Sequence, residues 1–211
     1  MLKRWLLVPV LALAVLAAGA AAEEPVQDVD YVLIDPQPVM PGKIEVIEFF
    51  YYGCESCNRL EPRLQSWMAG LADDVSFRRV PAIRRTAWVP LTRLYFALDQ
   101  LGEIDRLHAQ VYRAVHGAGL NPSDVPALEA WAREHGLDAG KLEQLMDSDA
   151  IRDRVQRAHD ETVAYGVRAT PSFVVDGKYL TEAGMAGSAD ALLGIVDGLV
   201  DKARASRGQR R

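Results

Sequence analysis

The sequence predicts an α/β fold with a long, purely helical stretch set inside it. Three observations carry that expectation. An apolar run over residues 44–52, rich in β-branched and aromatic side chains, changes at Gly53 to helical periodicity. Residues 75–81 then alternate as a strand does. From residue 84 to about 146 the apolar spacing is helical throughout, and a hairpin signal appears only after Thr170-Pro171.

Taken in order, residues 31–34 suit a short strand, and residues 35–42, with Pro36, Pro38 and Pro41, suit a loop. The run over 44–52 fits a buried central strand, interrupted by one charge, Glu48. Leu60, Leu64, Trp67, Met68 and Leu71 recur at steps of three and four, so residues 54–72 form a helix that Pro62 should kink. With the strand over 75–81 this is a βαβ unit. Leu91, Leu94, Tyr95, Leu98 and Leu101 share one helical face; Ile104, Leu107, Val111, Tyr112 and Val115 share another after the break at Gly102. Ser123 or Asp124 caps a helix carrying Leu128 and Trp131, and Asp138 opens one carrying Leu142 and Leu145. A longer helix, about 148–165, turns Ile151, Val155, Ala158 and Thr162 inward and ends at Gly166. Asp176-Gly177 makes a hairpin turn after the strand that follows Pro171. A last amphipathic helix covers about 188–203, and the basic residues 204–211 form a frayed tail.

The first 22 residues have the form of an export signal: Lys3 and Arg4, an apolar run to Ala18, then Ala20-Ala21-Ala22 ahead of Glu23. The competing reading is an uncleaved membrane anchor, since the run approaches spanning length. With 24 basic and 29 acidic residues the chain carries a formal charge of −5, and cleavage removes only basic groups. That balance argues against nucleic-acid binding.

The only two cysteines, Cys54 and Cys57, lie three apart where the strand meets the helix. A chain of 211 residues buries a core without disulfide staples, so the pair has another purpose. A cysteine at a helix start has its sulfur beside unpaired N–H groups and the positive end of the dipole, which favours the thiolate. This makes Cys54 the candidate nucleophile and Cys57, one turn in, the resolving thiol. The alternatives are an inert disulfide or half a zinc site, but no second pair of ligands stands ready to complete a metal shell. His108, His116, His135 and His159 are scattered on the predicted helices and fit surface or packed positions rather than metal ligation. No metal or cofactor is expected.

With these residues in place, the chain resembles the DsbA family of exported thiol:disulfide oxidoreductases across nearly all of the mature sequence. The likeness rests on Glu48 in the strand before Cys54, Pro62 eight residues after it, the helical stretch, and Thr170-Pro171 before a hairpin. It implies a thioredoxin-like central sheet with flanking helices, formed by residues 23–83 and 147–211, and an inserted all-helical domain over residues 84–146. It also implies that Pro171 is cis beside the dithiol, that Thr170 and Pro171 present backbone groups to an extended client, and that Glu48 points inward and exchanges a proton with Cys57. The other orientation of Glu48 faces solvent. One departure stands out: the family commonly has Pro-His between the cysteines, and this chain has Glu55-Ser56. A carboxylate beside the nucleophile opposes a second negative charge, so Glu55 and Ser56 should make a weaker oxidant than a Pro-His pair.

The function implied is donation of the Cys54–Cys57 disulfide to thiol-containing exported clients in a bacterial periplasm, with recharging by a DsbB-type membrane partner. A disulfide isomerase or reductase is the redox alternative, weakened by the absence of the dimerisation domain that exported isomerases carry. A peptide-binding chaperone with a non-catalytic disulfide is a third. A monomer is expected.

Overall fold

The structure, a computed structural model, describes residues 24–208; the export signal expected over residues 1–22 lies outside the described residues. Among these, five strands form one sheet: β1 (Val32–Leu33), β2 (Ile44–Phe50), β3 (Val75–Pro81), β4 (Ser172–Val175) and β5 (Tyr179–Glu182). The order across the sheet is β1-β5-β4-β2-β3, with β2 parallel to β3 and antiparallel to β4. Helix α1 (Glu55–Ala69) joins β2 to β3. Five helices then intervene before β4: α2 (Val89–Gln100), α3 (Ile104–Gly117), α4 (Val125–Glu134), α5 (Ala139–Met146) and α6 (Asp149–Ala164). A short α7 (Ala183–Ala186) and the closing α8 (Ala189–Gly208) follow β5.

Strand β2 is central, and all seven of its residues are buried. Its alternation sorts two cores. Ile44 and Val46 pack with Leu60 and Leu64 of α1 and with Leu192, Val196 and Leu199 of α8. Ile47 and Phe49 join the larger cluster built from the intervening helices, including Leu94, Leu98, Leu107 and Ile151. Each such fully buried aliphatic side chain contributes about 1.5–3 kcal/mol relative to exposure. A strand with apolar residues on both faces therefore anchors everything that projects from its end.

Several boundaries differ from the sequence reading. Strand β2 stops at Phe50, because Tyr51, Tyr52 and Gly53 form the turn into α1, closed by Cys54 N donating to Tyr51 O at 2.9 Å. Helix α1 continues through Pro62 and ends at Ala69. Of the two capping candidates, Asp124 accepts the bond from Ala127 N. Val175 O accepts from Lys178 N, so Asp176 and Gly177, both at positive φ, are the central residues of the hairpin turn. Glycine is required at 177: a Cβ there would stand 2.6 Å from Gln37 O.

The expected frayed tail is corrected more substantially, because α8 runs on to Gly208. Arg204 binds Asp74 through two bonds of 2.7 Å, and Arg207 binds the buried Asp176. Partners distant in sequence hold a segment whose own composition reads as tail. Among the described residues no helix is long and apolar enough to cross a membrane.

Candidate functional site

The two cysteines are free thiols at the mouth of α1. Cys54 is the N-cap residue, in extended conformation, and Asn58 N donates to its carbonyl to start the helix. Its own sulfur is left to face the unpaired N–H groups of the first turn. Cys57 is 1% exposed, against the cluster that contains Phe50 and Tyr52.

These positions split the two thiols chemically. The Cys57 thiol donates to the Cys54 sulfur and is the main reason the Cys54 pKa falls to about 5 from an ordinary 9.0; Thr170 and the N–H groups of Cys57 and Ser56 add to it, against partial burial. Burial pushes the Cys57 pKa well up, and its place beside the Cys54 sulfur adds to the shift. Cys54 Sγ lies 3.1 Å from the carbonyl oxygen of Thr170, and the Thr170–Pro171 peptide is cis. Pro171 O accepts from Ala183 N, which leaves this loop braced against the start of α7. A cleft of about 200 Å³ opens here, lined by Ser56, Arg59, Leu60, Pro171, Ser188 and Leu192.

Glu48 is 1% exposed and lies beneath α1 rather than facing solvent. It stands in register with Arg79 of β3, whose Nε donates to Glu48 Oε2 at 3.0 Å. The same guanidinium reaches both oxygens of Glu61 on α1 at 3.1–3.2 Å. Burial raises the Glu48 pKa to about 7, with Arg79 opposing. Glu61 is held below the ordinary carboxylate range: His108 and Arg79 outweigh the cost of burial, which is its largest single influence. Burial lowers the His108 pKa, with Glu61 opposing; its Nδ1 lies 2.8 Å from the Tyr52 hydroxyl, and its Nε2 stands 3.4 Å from Glu61, out of line for a good hydrogen bond.

Glu55 and Ser56 occupy the exposed side of the same helix end. Arg59 donates to Glu55 at 3.1 Å and to Ser56 Oγ at 3.2 Å. His116 of α3 places Nδ1 3.0 Å from the Glu55 carboxylate and Nε2 2.8 Å from the Tyr52 carbonyl oxygen. Behind Cys54, the Tyr51 ring stacks on Trp88 at 4.1 Å and covers Gly53, where a Cβ would meet the ring at 2.5 Å.

The sequence residues Cys54, Cys57, Glu48, Glu55, Ser56, Thr170 and Pro171 thus converge at one end of β2 and α1. Arg79, Glu61, Trp88, His108 and His116 were not singled out as site residues, whereas Tyr51 and Tyr52 were candidates for a client-facing surface; Tyr52 is buried and Tyr51 only half-buried. A signal existed for the histidines: His108, Tyr112 and His116 recur every four residues and form one stripe of α3. Arg79 and Glu61 carried none, because only the pairing of β2 with β3 shows which charge meets Glu48.

Comparison with known proteins fits this geometry. A family model for the DSBA-like thioredoxin domain matches residues 59–193. The thiol:disulfide interchange protein DsbA of Pseudomonas aeruginosa PAO1 is 33% identical over 208 residues, covering 97% of this chain and 99% of its own. This chain belongs to the DsbA family. The DsbA of Pseudomonas syringae is 34% identical over 191 residues, with 89% of each chain covered. The crystal structure of Pseudomonas aeruginosa DsbA superposes with a TM-score of 0.82 at 32% identity, over 87% of this chain and 97% of that one. Reduced DsbA1 of Neisseria meningitidis gives 0.75 at 25% identity, over 88% and 98%. The fold is thioredoxin-like with a helical insertion, and the protein is a disulfide-donating thiol:disulfide oxidoreductase of the DsbA type.

Proposed function

We propose that Cys54 is the sulfur exchanged with clients, that Cys57 resolves, and that the reaction takes place on exported proteins in a bacterial periplasm. The observation that carries this reading is the opposed environment of the two thiols, with only the low-pKa sulfur partly exposed, beside the Thr170 carbonyl. A client thiolate attacks Sγ of Cys54 in the enzyme disulfide. The Cys54–Cys57 bond breaks, the electron pair goes to Cys57, and that sulfur takes up a proton because its environment rejects charge. Glu48, with a pKa near 7 beneath α1, is placed to supply that proton. A second client thiolate then attacks the client sulfur of the mixed disulfide and expels Cys54, a good leaving group because its pKa is low. Two electrons have passed from client to enzyme. Thr170 and Pro171 offer backbone polar groups for an extended client segment. A DsbB-type membrane protein restores the disulfide. The helices of residues 84–146 act as an inserted domain roofing the site, and the protein works as a monomer.

A reduced client peptide with two cysteines, mixed with the oxidised mature protein without glutathione, tests this. Stoichiometric appearance of client disulfide and enzyme dithiol is expected. Rescue of a mispaired client by the dithiol form, with no oxidation of reduced client, would favour the isomerase reading. Protection from aggregation that survives Cys54→Ser would favour the chaperone.

A further inference from the structure

Among the described residues, His116 is the side chain of the helical insertion that makes an ion pair with the dipeptide between the cysteines. Its ring meets acceptors on both sides: the carboxylate of Glu55 at 3.0 Å and the carbonyl oxygen of Tyr52 at 2.8 Å. Neither acceptor can donate, so both contacts are hydrogen bonds only when the ring carries hydrogen on both nitrogens and a positive charge. Two further features surround the ring. His116 lies in the last turn of α3, where the helix dipole attracts a cation, and its ring stacks near Tyr112 with centroids 6.2 Å apart. The two anchors bracket the nucleophile, since Tyr52 precedes Cys54 by two residues and Glu55 follows it by one.

Arg59 also touches Glu55, but its side chain is 64% exposed, so solvent and salt screen the pair. The His116 side chain is 18% exposed and the better counter-charge.

We propose that His116 is a positioning residue that neutralises Glu55 from the helical insertion, so that this carboxylate does not oppose the Cys54 thiolate. The chain then regains, from a different helix, a cation that its own Glu-Ser dipeptide cannot provide. A more stable thiolate means a more stable dithiol and a stronger oxidant, so the insertion helps set the redox equilibrium. The proposal rests on the reading of Cys54–Cys57 as a cycling dithiol.

The test is the equilibrium constant of the mature protein against glutathione at neutral pH in a double-mutant cycle. His116→Gln, which exposes Glu55, should make the protein a weaker oxidant by about threefold, or about 14 mV for a two-electron couple. His116→Lys, which returns a cation, should recover most of that loss. In the Glu55→Gln background, His116→Gln should add nothing. No change from His116→Gln in the native background overturns the proposal. So does an equal loss in both backgrounds, as a merely structural disturbance would give. If the native pair does not exchange with glutathione at all, the dithiol reading fails first and the role proposed for His116 falls with it.

Discussion

Cys54 sits half-exposed at the N-cap of α1 with its pKa drawn down to about 5, whereas Cys57, one turn further along, is buried and its pKa is pushed well up. The same contrast runs through their surroundings. Around Cys54 the charges are on the rim, with Glu55 and Arg59 both mostly in water. Beneath α1, on the inner side, Glu48, Glu61 and His108 are buried and, with the partly buried Arg79, form a largely enclosed seam. One helix end therefore presents a stabilised anion outward and keeps proton-bearing groups behind it. Depth, not residue type, decides what each charge contributes.

The sharpest way to break the comparison is to remove each sulfur in turn. Cys54→Ser should abolish client oxidation, while Cys57→Ser should still attack and then accumulate mixed disulfides, visible as adducts on non-reducing gels. If both variants accumulate adducts equally, the two sulfurs are not distinct. In the native dithiol form, thiolate absorbance should titrate once near pH 5, with no second step until the solution is strongly alkaline.

The seam comes next. Arg79→Met removes the only cation bonded to both Glu48 and Glu61 among the described residues, and leaving buried carboxylates without it should cost about 3–5 kcal/mol in urea denaturation. A loss below 1 kcal/mol would show that water reaches the seam.

Glu48 gives a smaller, pH-dependent effect. Its pKa is raised in the folded state to about 7 from an ordinary 4.5, so the folded protein holds a proton that the unfolded chain has released. Stability from this group is fully present below about pH 4.5 and is lost as pH rises through 7, by up to roughly 3 kcal/mol. Glu48→Gln should flatten that decline. An unchanged slope between pH 5 and 7 would assign the decline to another group.

The smallest effect belongs to the rim. Arg59→Ala breaks an exposed pair spaced four residues apart and should change stability by no more than about 0.5 kcal/mol. Two arginines, each bonded to a glutamate of α1, would then differ in effect by nearly an order of magnitude because one is largely buried against two carboxylates and the other lies in water beside one.

Much of this site was readable from spacing. The strand-to-helix junction, the cysteine pair and the Thr-Pro before a hairpin follow from local chemistry, and so does the inward helical face at Leu60 and Leu64. What was not readable depends on partners far away in sequence. Arg204 and Arg207 read as a tail because Asp74 and Asp176, which hold them in α8, lie far along the chain. Glu48 could be seen as an anomaly in an apolar strand, but its partner Arg79 emerges only from the parallel register of β2 and β3. The histidines were missed for a related reason. A helix face that reads as packing becomes part of a site only when the turn at Tyr52 is brought against it.

The central strand β2 has β4 as its neighbour on one side, and Cys54 meets the Thr170 carbonyl across 116 residues of chain. During vectorial synthesis, the cysteines therefore emerge long before the segment that carries Thr170 and β4. A nascent chain that has passed α1 holds two thiols and part of a sheet, but nothing against which a client strand can lie. Residues 84–164 must emerge before β4 can arrive, so the site is assembled near the end of synthesis. The two thiols thus exist early in the chain's synthesis, and the complete site exists only once the chain is almost finished.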